Sequence, residues 1–210
     1  MEARESNEIN DSAGSLVRPV VVSSILFMLV CGLVYPLLTT GVAQLIFPRQ
    51  AEGSLIERDG EVVGSELIAQ QFTEPQYFHP RPSVTLDNAG ENDLPYNAAN
   101  SRGSNYGATN EVLIEQVRQR VADYREENNL PEGAPVPVDA VTASSSGFDP
   151  HITLANADLQ APRVAEERRV SEDEVRRLIK ENTDGRLFGF IGEPGVNVLE
   201  LNLALDETGG

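Results

Sequence analysis

One membrane-crossing α-helix followed by one mixed α/β (α+β) domain is the architecture the sequence predicts. Three observations carry that expectation. Residues 19–48 hold no charged side chain, in a chain where 23% of residues are charged. The rest of the sequence mixes short strand patterns with helical ones, the signature of a two-layer α/β arrangement. With the apolar run set aside, about 160 residues of the 210 remain, enough for one domain with its own core.

Charge and composition remove whole classes of function. The chain carries 33 acidic against 16 basic residues, a net charge of −17, and Lys180 is its only lysine. A nucleic-acid surface needs the opposite sign. The mean hydropathy of −0.26 excludes a multi-span protein but leaves room for one concentrated span. A single cysteine, Cys31, excludes an intramolecular disulfide framework and a cysteine metal cluster, and two histidines, His79 and His151, exclude a histidine cage. No catalytic residue and no metal ligand set is assigned. Paired carboxylates are no signal in so acidic a chain. Carboxylates with almost no lysine suit a surface bathed in concentrated salt, where repulsion is screened; ordinary solubility is the plainer reading.

The elements follow in order. The leader, residues 1–17, carries Glu2, Glu5, Glu8 and Asp11 and is expected to lack regular structure. Residues 18–48 form the span, bounded by Arg18 and Arg49 and longer than the roughly 20 residues a bilayer requires. A helix satisfies its own backbone groups in lipid. Three other readings fail. A cleaved signal peptide needs a basic start and a shorter apolar run. A lipoprotein anchor at Cys31 needs a small residue before it, where Val30 stands. A buried core helix of this length without a charge does not suit a soluble domain. Pro36 lies inside the run, so a kink or an opened hydrogen bond is expected nearby. Tyr35, the pair Ser23 and Ser24, the pair Thr39 and Thr40, and the small residues Gly32 and Gly41 are candidate contacts with neighbouring helices. The flanking arginines tie, so the positive-inside rule sets no orientation.

Residues 49–208 form the domain. SLIERDGEVVGS reads as a hairpin turning at Asp59 and Gly60. Residues 72–107 are rich in Pro, Asn, Ser and Gly, yet their aromatic residues argue for an ordered loop. Asn110 caps a helix reaching about residue 128, with Leu113, Val117, Val121 and Tyr124 on one face. PVDAVTASSSG reads as an extended run into a serine-rich turn. A helix starts after Thr153, and a second is marked by a capping box of Ser171 and Glu174 and a stop at Gly185. VNVLELNLAL reads as a strand whose alternation breaks phase between Val198 and Leu199, which suggests a bulge.

Enzyme templates fail one by one: no phosphate loop, no dinucleotide fingerprint and no nucleophile elbow is present. The run Ser144, Ser145, Ser146 with His79 or His151 makes only a weak triad, and a turn with its hydroxyls on nearby backbone is the plainer reading. Each histidine reads first as a hydrogen-bonded loop anchor.

Seven stretches occur in an order that resembles a known family. They are RPVVVSSILFMLVCGLVYPLLTTGVAQLIFPRQAEGSL, GSELIAQQF, YFHPRPS, PYNAANSRGSNYGATN, VPVDAVTASSSGFDPHIT, residues 160–164 and IGEPGVNVLELNLALD. The chain is similar over residues 15–206 to the C subunits of the Kdp high-affinity potassium-transporting P-type ATPase. It departs at Arg102, Phe148 and Ala69, and the leader lies outside the likeness. The motif positions are His79, Arg81 and Pro82; Asn97, Ser104 and Asn105; Ser144, Gly147, Asp149 and His151; and Asn197 and Glu200. The resemblance implies an accessory subunit in the cell membrane, with a cytoplasmic leader and an extracytoplasmic domain. Its implied partners are membrane lipid, a channel-like potassium-binding subunit, an ATP-hydrolysing subunit and, in the family picture, a small single-span subunit. It implies no tightly bound cofactor. ATP enters only through the complex, where a catalytic chaperone would raise nucleotide affinity with Gln160 as a contact; the competing picture is an external cap that stabilises the complex. The alternative from another class is a stand-alone membrane-anchored hydrolase or binding protein using the 144–146 serines and His151.

Overall fold

The computed structural model describes residues 2–208, with side chains from residue 14 onward. The chain divides into two compact units, the first ending at Ser54 and the second beginning at Leu55.

The first unit is helical. α1 runs Glu2–Leu29, continues through a π-helical turn at Val30–Val34, and passes into α2, Tyr35–Ile46, and a short α3, Pro48–Ala51. The helix therefore takes in the leader that was expected to lack regular structure. Of this helix, Gly14–Ile46 is long and apolar enough to cross a membrane, its 33 residues rising about 50 Å against a hydrocarbon core of about 30 Å. Its large apolar side chains are exposed, as a lipid-facing surface requires. The π turn sits just ahead of Pro36, where an opened hydrogen bond was expected. The Tyr35 N–H donates five residues back to the Val30 carbonyl, and Pro36 has no N–H to offer.

In the second unit, β1 (Leu55–Arg58) and β2 (Glu61–Ser65) make the expected antiparallel hairpin, with a register shift between Ile56 and Glu57. Asp59 and Gly60 both have positive φ, 51° and 82°, the backbone a two-residue I′ turn demands. Residues 66–110 form an ordered irregular segment. α4, Glu111–Glu127, opens where Asn110 Oδ1 accepts from the N–H groups of Val112 and Leu113. α6 (Leu154–Arg168) and α7 (Glu172–Glu181) are capped by Thr153 and Ser171 through their hydroxyls. α7 stops at Glu181, ahead of Gly185.

Two expectations about the second unit are corrected. Residues 138–141 are a short helix, α5, where an extended run was expected; Asp139 lies in its first turn, and it ends at Thr142, which is extended. The C-terminal segment is not a bulged strand. β5 covers only Gly195–Asn197, and α8 follows directly as Val198–Thr208. Asn197 Oδ1 accepts from Leu199 N at 3.1 Å and Glu200 N at 3.3 Å, so the residue ends the strand and caps the helix. The broken alternation is the change from a period of 2 to one of 3.6, with Val198, Leu201 and Leu205 turned inward.

The small sheet has the order β3–β5–β4, both pairings antiparallel, with β3 at His151–Ile152 and β4 at Thr183–Asp184. The core lies between this sheet and α6, α7 and α8. Ala157, Ala161 and Ala165 give α6 a low face into which Val175, Leu178, Ile179, Leu201 and Leu205 pack, and Phe78 enters from the irregular segment with no exposed surface. Replacing Phe78 by Ala is expected to cost about 3–5 kcal/mol. Phe188→Ala, at an 80% exposed position, should stay within about 0.5 kcal/mol. Urea unfolding of the detergent-solubilised chain checks both; equal losses would refute the assignment of Phe78 to the core.

Candidate functional site

Several of the motif positions gather around residues 74–82 of the irregular segment. This stretch has no strand partner, so its backbone groups need side chains. Arg163 of α6 donates to the carbonyls of Pro75 and, at 3.0 Å, Tyr77. Arg168 donates to Gln76 O at 2.7 Å. Asn202 of α8 accepts from Phe78 N at 2.8 Å and donates to Phe78 O at 2.9 Å. Gln160 repeats that reciprocal clamp one residue on, accepting from His79 N at 2.8 Å and donating to His79 O at 3.1 Å. Each carboxamide thus imitates a neighbouring β-strand.

Behind the clamps lies a buried polar network. Gln160 is 1% exposed; its amide also donates to Asn156 Oδ1, and its carbonyl accepts from Arg163. Tyr124 donates to Asn156 Oδ1 at 2.8 Å, and burial pushes its phenol well above the ordinary range. Asp139 accepts from Thr153 N, Thr153 Oγ1 and Asn156 Nδ2, tying α5 to the start of α6. Arg163 also reaches Asn128 Oδ1, and burial lowers its pKa. His79 sits at the edge, with Nδ1 2.6 Å from Glu127 Oε1 and Nε2 3.2 Å from Glu74 O. Burial pushes the Glu127 carboxyl up, but the His79 ring and Arg163 outweigh it and hold the group below its ordinary value. A cavity of about 180 Å³ opens here between His79, Pro82, Arg120, Glu127 and Gln160.

On the other side of the segment is a cleft of about 360 Å³ bordered by Arg81, Asp139, Asp149, His151, Asp184 and Glu193. Arg81 Nη1 meets Asp149 Oδ2 at 3.0 Å, while its Nε is buried without a hydrogen-bond partner. His151 starts β3, and its Nε2 reaches Asp184 Oδ2 on β4 at 2.8 Å. The ring crosses the central strand to do so, over Gly195, where a Cβ would lie 3.1–3.3 Å from His151 atoms. Hydrogen bonding to Asp149, then to Asp184, raises the His151 pKa against the opposing effect of burial. Burial pushes Asp149 up, but His151 and Arg81 prevail and hold it below its ordinary range.

The other motif residues shape loops. Ser144 Oγ accepts from Gly147 N at 2.9 Å and from Asp149 N at 3.4 Å, the turn expected of the serine run. Asn97 donates to Leu86 O and Asn88 Oδ1, and Asn105 to Gly103 O. Ser104 borders a third cavity with Arg120 and Tyr106. Asn197 donates to Glu66 O as well as capping α8, on whose first turn Glu200 lies. The structure therefore brings together His79, Arg81, Pro82, Asp149, His151 and Gln160, and leaves Asn97, Ser104 and Asn105 on a separate loop. Asn156, Arg163 and Asn202 escaped sequence reasoning; the only available signal was a polar residue on the apolar face of a helix.

The candidate helix contacts lie in the other unit. Ser23 Oγ donates to Val20 O, and Thr39 Oγ1 to the carbonyls of Tyr35 and Pro36. These two hydroxyls bond carbonyls of their own helix. Thr40, the other member of the threonine pair, is exposed on α2, as is Tyr35 at its start. Nothing lies within 4 Å of a Cβ built on Gly32 or Gly41.

The described residues thus define one helix long and apolar enough to cross a membrane, followed by an α/β domain. Residues 17–207 match the family described as KdpC, the K+-transporting ATPase c chain. A potassium-transporting ATPase KdpC subunit of Mycobacterium tuberculosis (strain ATCC 25618 / H37Rv) is 56% identical over 188 residues, covering 90% of this chain and 96% of its own length. Those of Rhodopseudomonas palustris (strain BisB18) and Bradyrhizobium diazoefficiens are 51% and 49% identical, covering 90% and 91% of this chain and 96% of their own lengths. The chain belongs to the KdpC family, the non-catalytic accessory subunits of the Kdp potassium-transporting ATPase.

The cleft carries a pH signature. His151 has a raised folded pKa, so its contribution to stability is complete below its ordinary value of 6.5 and is lost as pH rises through the higher folded value. Asp149 has a lowered one, so its contribution is complete above 3.8 and is lost as pH falls through the lower folded value. In His151→Gln the fall in urea midpoint between about pH 6 and about pH 9 should flatten relative to the parent. An unchanged slope would show that the His151 bridge does not contribute.

Proposed function

We propose that this subunit works by assembly: its span binds the membrane parts of a potassium pump, and its domain, outside the cell, caps the channel-like subunit and stabilises that subunit's union with the ATP-hydrolysing one. The observation that carries the reading is the family match across the whole domain, joined to a single exposed span. Three features support it. The span offers Gly32 and Gly41 as places where another helix can approach closely. Pro36 supplies no N–H to the turn before it, and a neighbouring helix is the usual remedy in lipid. The acidic surface raises cation concentration at a pore mouth, within a screening length of about 8 Å.

The chaperone reading, with Gln160 touching nucleotide, is the weaker of the two. All four hydrogen bonds of that side chain are spent on His79, Asn156 and Arg163, and a nucleotide would have to displace them. In the assembly reading Gln160 is a clamp. Gln160→Ala should then destabilise the chain by about 1–3 kcal/mol through the polar groups it orphans. Complexes that still form should keep the parent's ATP affinity; a weakened affinity in them would restore the nucleotide role. In the span, Gly32→Leu should lower the yield of both larger subunits when the pump is purified through this chain. Unchanged recovery would move the assembly contact elsewhere.

A further inference from the structure

Between β4 and β5 the chain puts out a small turn whose apex is apolar and unburied. Leu187 is 60% exposed, Phe188 80%, Phe190 73% and Ile191 49%. From Leu187 to Gly192 there is no charge. At the base Arg186 and Glu193 neutralise each other at 2.7 Å. In water four such side chains side by side are costly, and contiguous apolar surface on an otherwise acidic domain marks a contact.

The turn is not a slack loop. Leu187 and Ile191 pair as an antiparallel bridge, exchanging hydrogen bonds of 2.8 and 3.0 Å. Gly189 N donates to Arg186 O and Phe190 N to Leu187 O. Phe188 and Gly189 both have positive φ, 53° and 83°, and a bulky residue holds that conformation only where its surroundings impose it. The turn thus meets much of its own backbone demand while holding both phenyl rings outward.

We propose that this tip inserts into the interfacial layer of the lipid bilayer that the span anchors. The chain keeps the start of the second unit near the membrane: only residues 47–54, which include α3, separate the apolar helix from Leu55, a stretch that reaches under about 30 Å even if fully extended. A convex tip needs a fluid medium rather than a shaped socket, and its partly self-bonded backbone suits the interfacial layer, where headgroups and water can take up the remaining groups. Aromatic and aliphatic side chains above a neutralised ion pair suit the boundary between headgroups and acyl chains. The net charge of −17 keeps the remaining surface away from anionic headgroups and confines contact to the tip. The inference rests on the span and not on the pump assignment.

The chain has no tryptophan, so a single substitution creates a unique probe. Phe188→Trp in the full chain, reconstituted in phosphatidylcholine vesicles, should emit to the blue of free indole and lose intensity when dibrominated phosphatidylcholine is included. Val138→Trp, at a 73% exposed position on α5, should show neither change. Circular dichroism establishes that both variants are folded. Solvent-like, unquenched emission from Phe188→Trp overturns the proposal, as does equal quenching at both positions. The same variant in the purified pump, read as a difference from the parent pump, separates the remaining occupant. Blue-shifted emission that brominated lipid does not quench means that a protein subunit covers the tip, and overturns the proposal too.

Discussion

The structure depends on a problem of backbone accounting. Residues 75–79 run from the exposed Pro75 and Gln76 to the fully buried Phe78, yet no strand lies alongside to take up their peptide groups. A buried peptide group without a partner costs about 1–3 kcal/mol, so unpaired N–H and C=O groups at Phe78 would offset the gain from burying its ring. Asn202, Gln160, Arg163 and Arg168 resolve this by donating and accepting where a strand would. Three of these come from α6 and one from α8, so the segment can be placed only when both helices already stand in register.

That dependence explains why so much polarity is buried. Asn156, Asp139 and Tyr124 do not touch the segment's backbone; they hold the side chains that do. A half-satisfied buried network is worse than an apolar core, whereas a complete one specifies a single arrangement. The network also explains how the two cavities come to flank the same stretch. Once His79 is clamped, Pro80 and the extended chain carry Arg81 to the opposite side, where it meets Asp149 and the bridge from His151 to Asp184.

What was legible in the sequence follows the same physics. The span, the hairpin at Asp59 and Gly60, and the caps at Asn110, Thr153 and Ser171 are local devices, set by residues within one turn of each other, and the structure reproduces them. Asn197 was also a local cap, with Glu200 three residues on, but the apolar run from Val196 through Leu205 around it imitated a strand. Gln160, Arg163 and Asn202 were illegible for a different reason. They are polar residues on the apolar faces of their helices, where pattern reading expects aliphatic side chains, and their partners lie 81 to 124 residues away. Family resemblance marked Gln160 as special without saying why; the clamp gives a structural reason independent of any ligand.

The two units meet their hydrogen-bonding needs by opposite routes. In the span, Ser23 and Thr39 turn their hydroxyls onto their own helix, and Pro36 with its π turn is a local irregularity in an otherwise self-sufficient element. The domain satisfies an irregular segment with side chains from distant helices. A self-sufficient helix can be inserted first and can meet neighbours through packing alone. A domain held by long-range clamps gains its shape only as a whole, and a contact that favours the clamped state stabilises all of it. The proposed assembly role would draw on both properties: an anchor that can insert on its own, and a domain whose one folded shape a partner can reinforce.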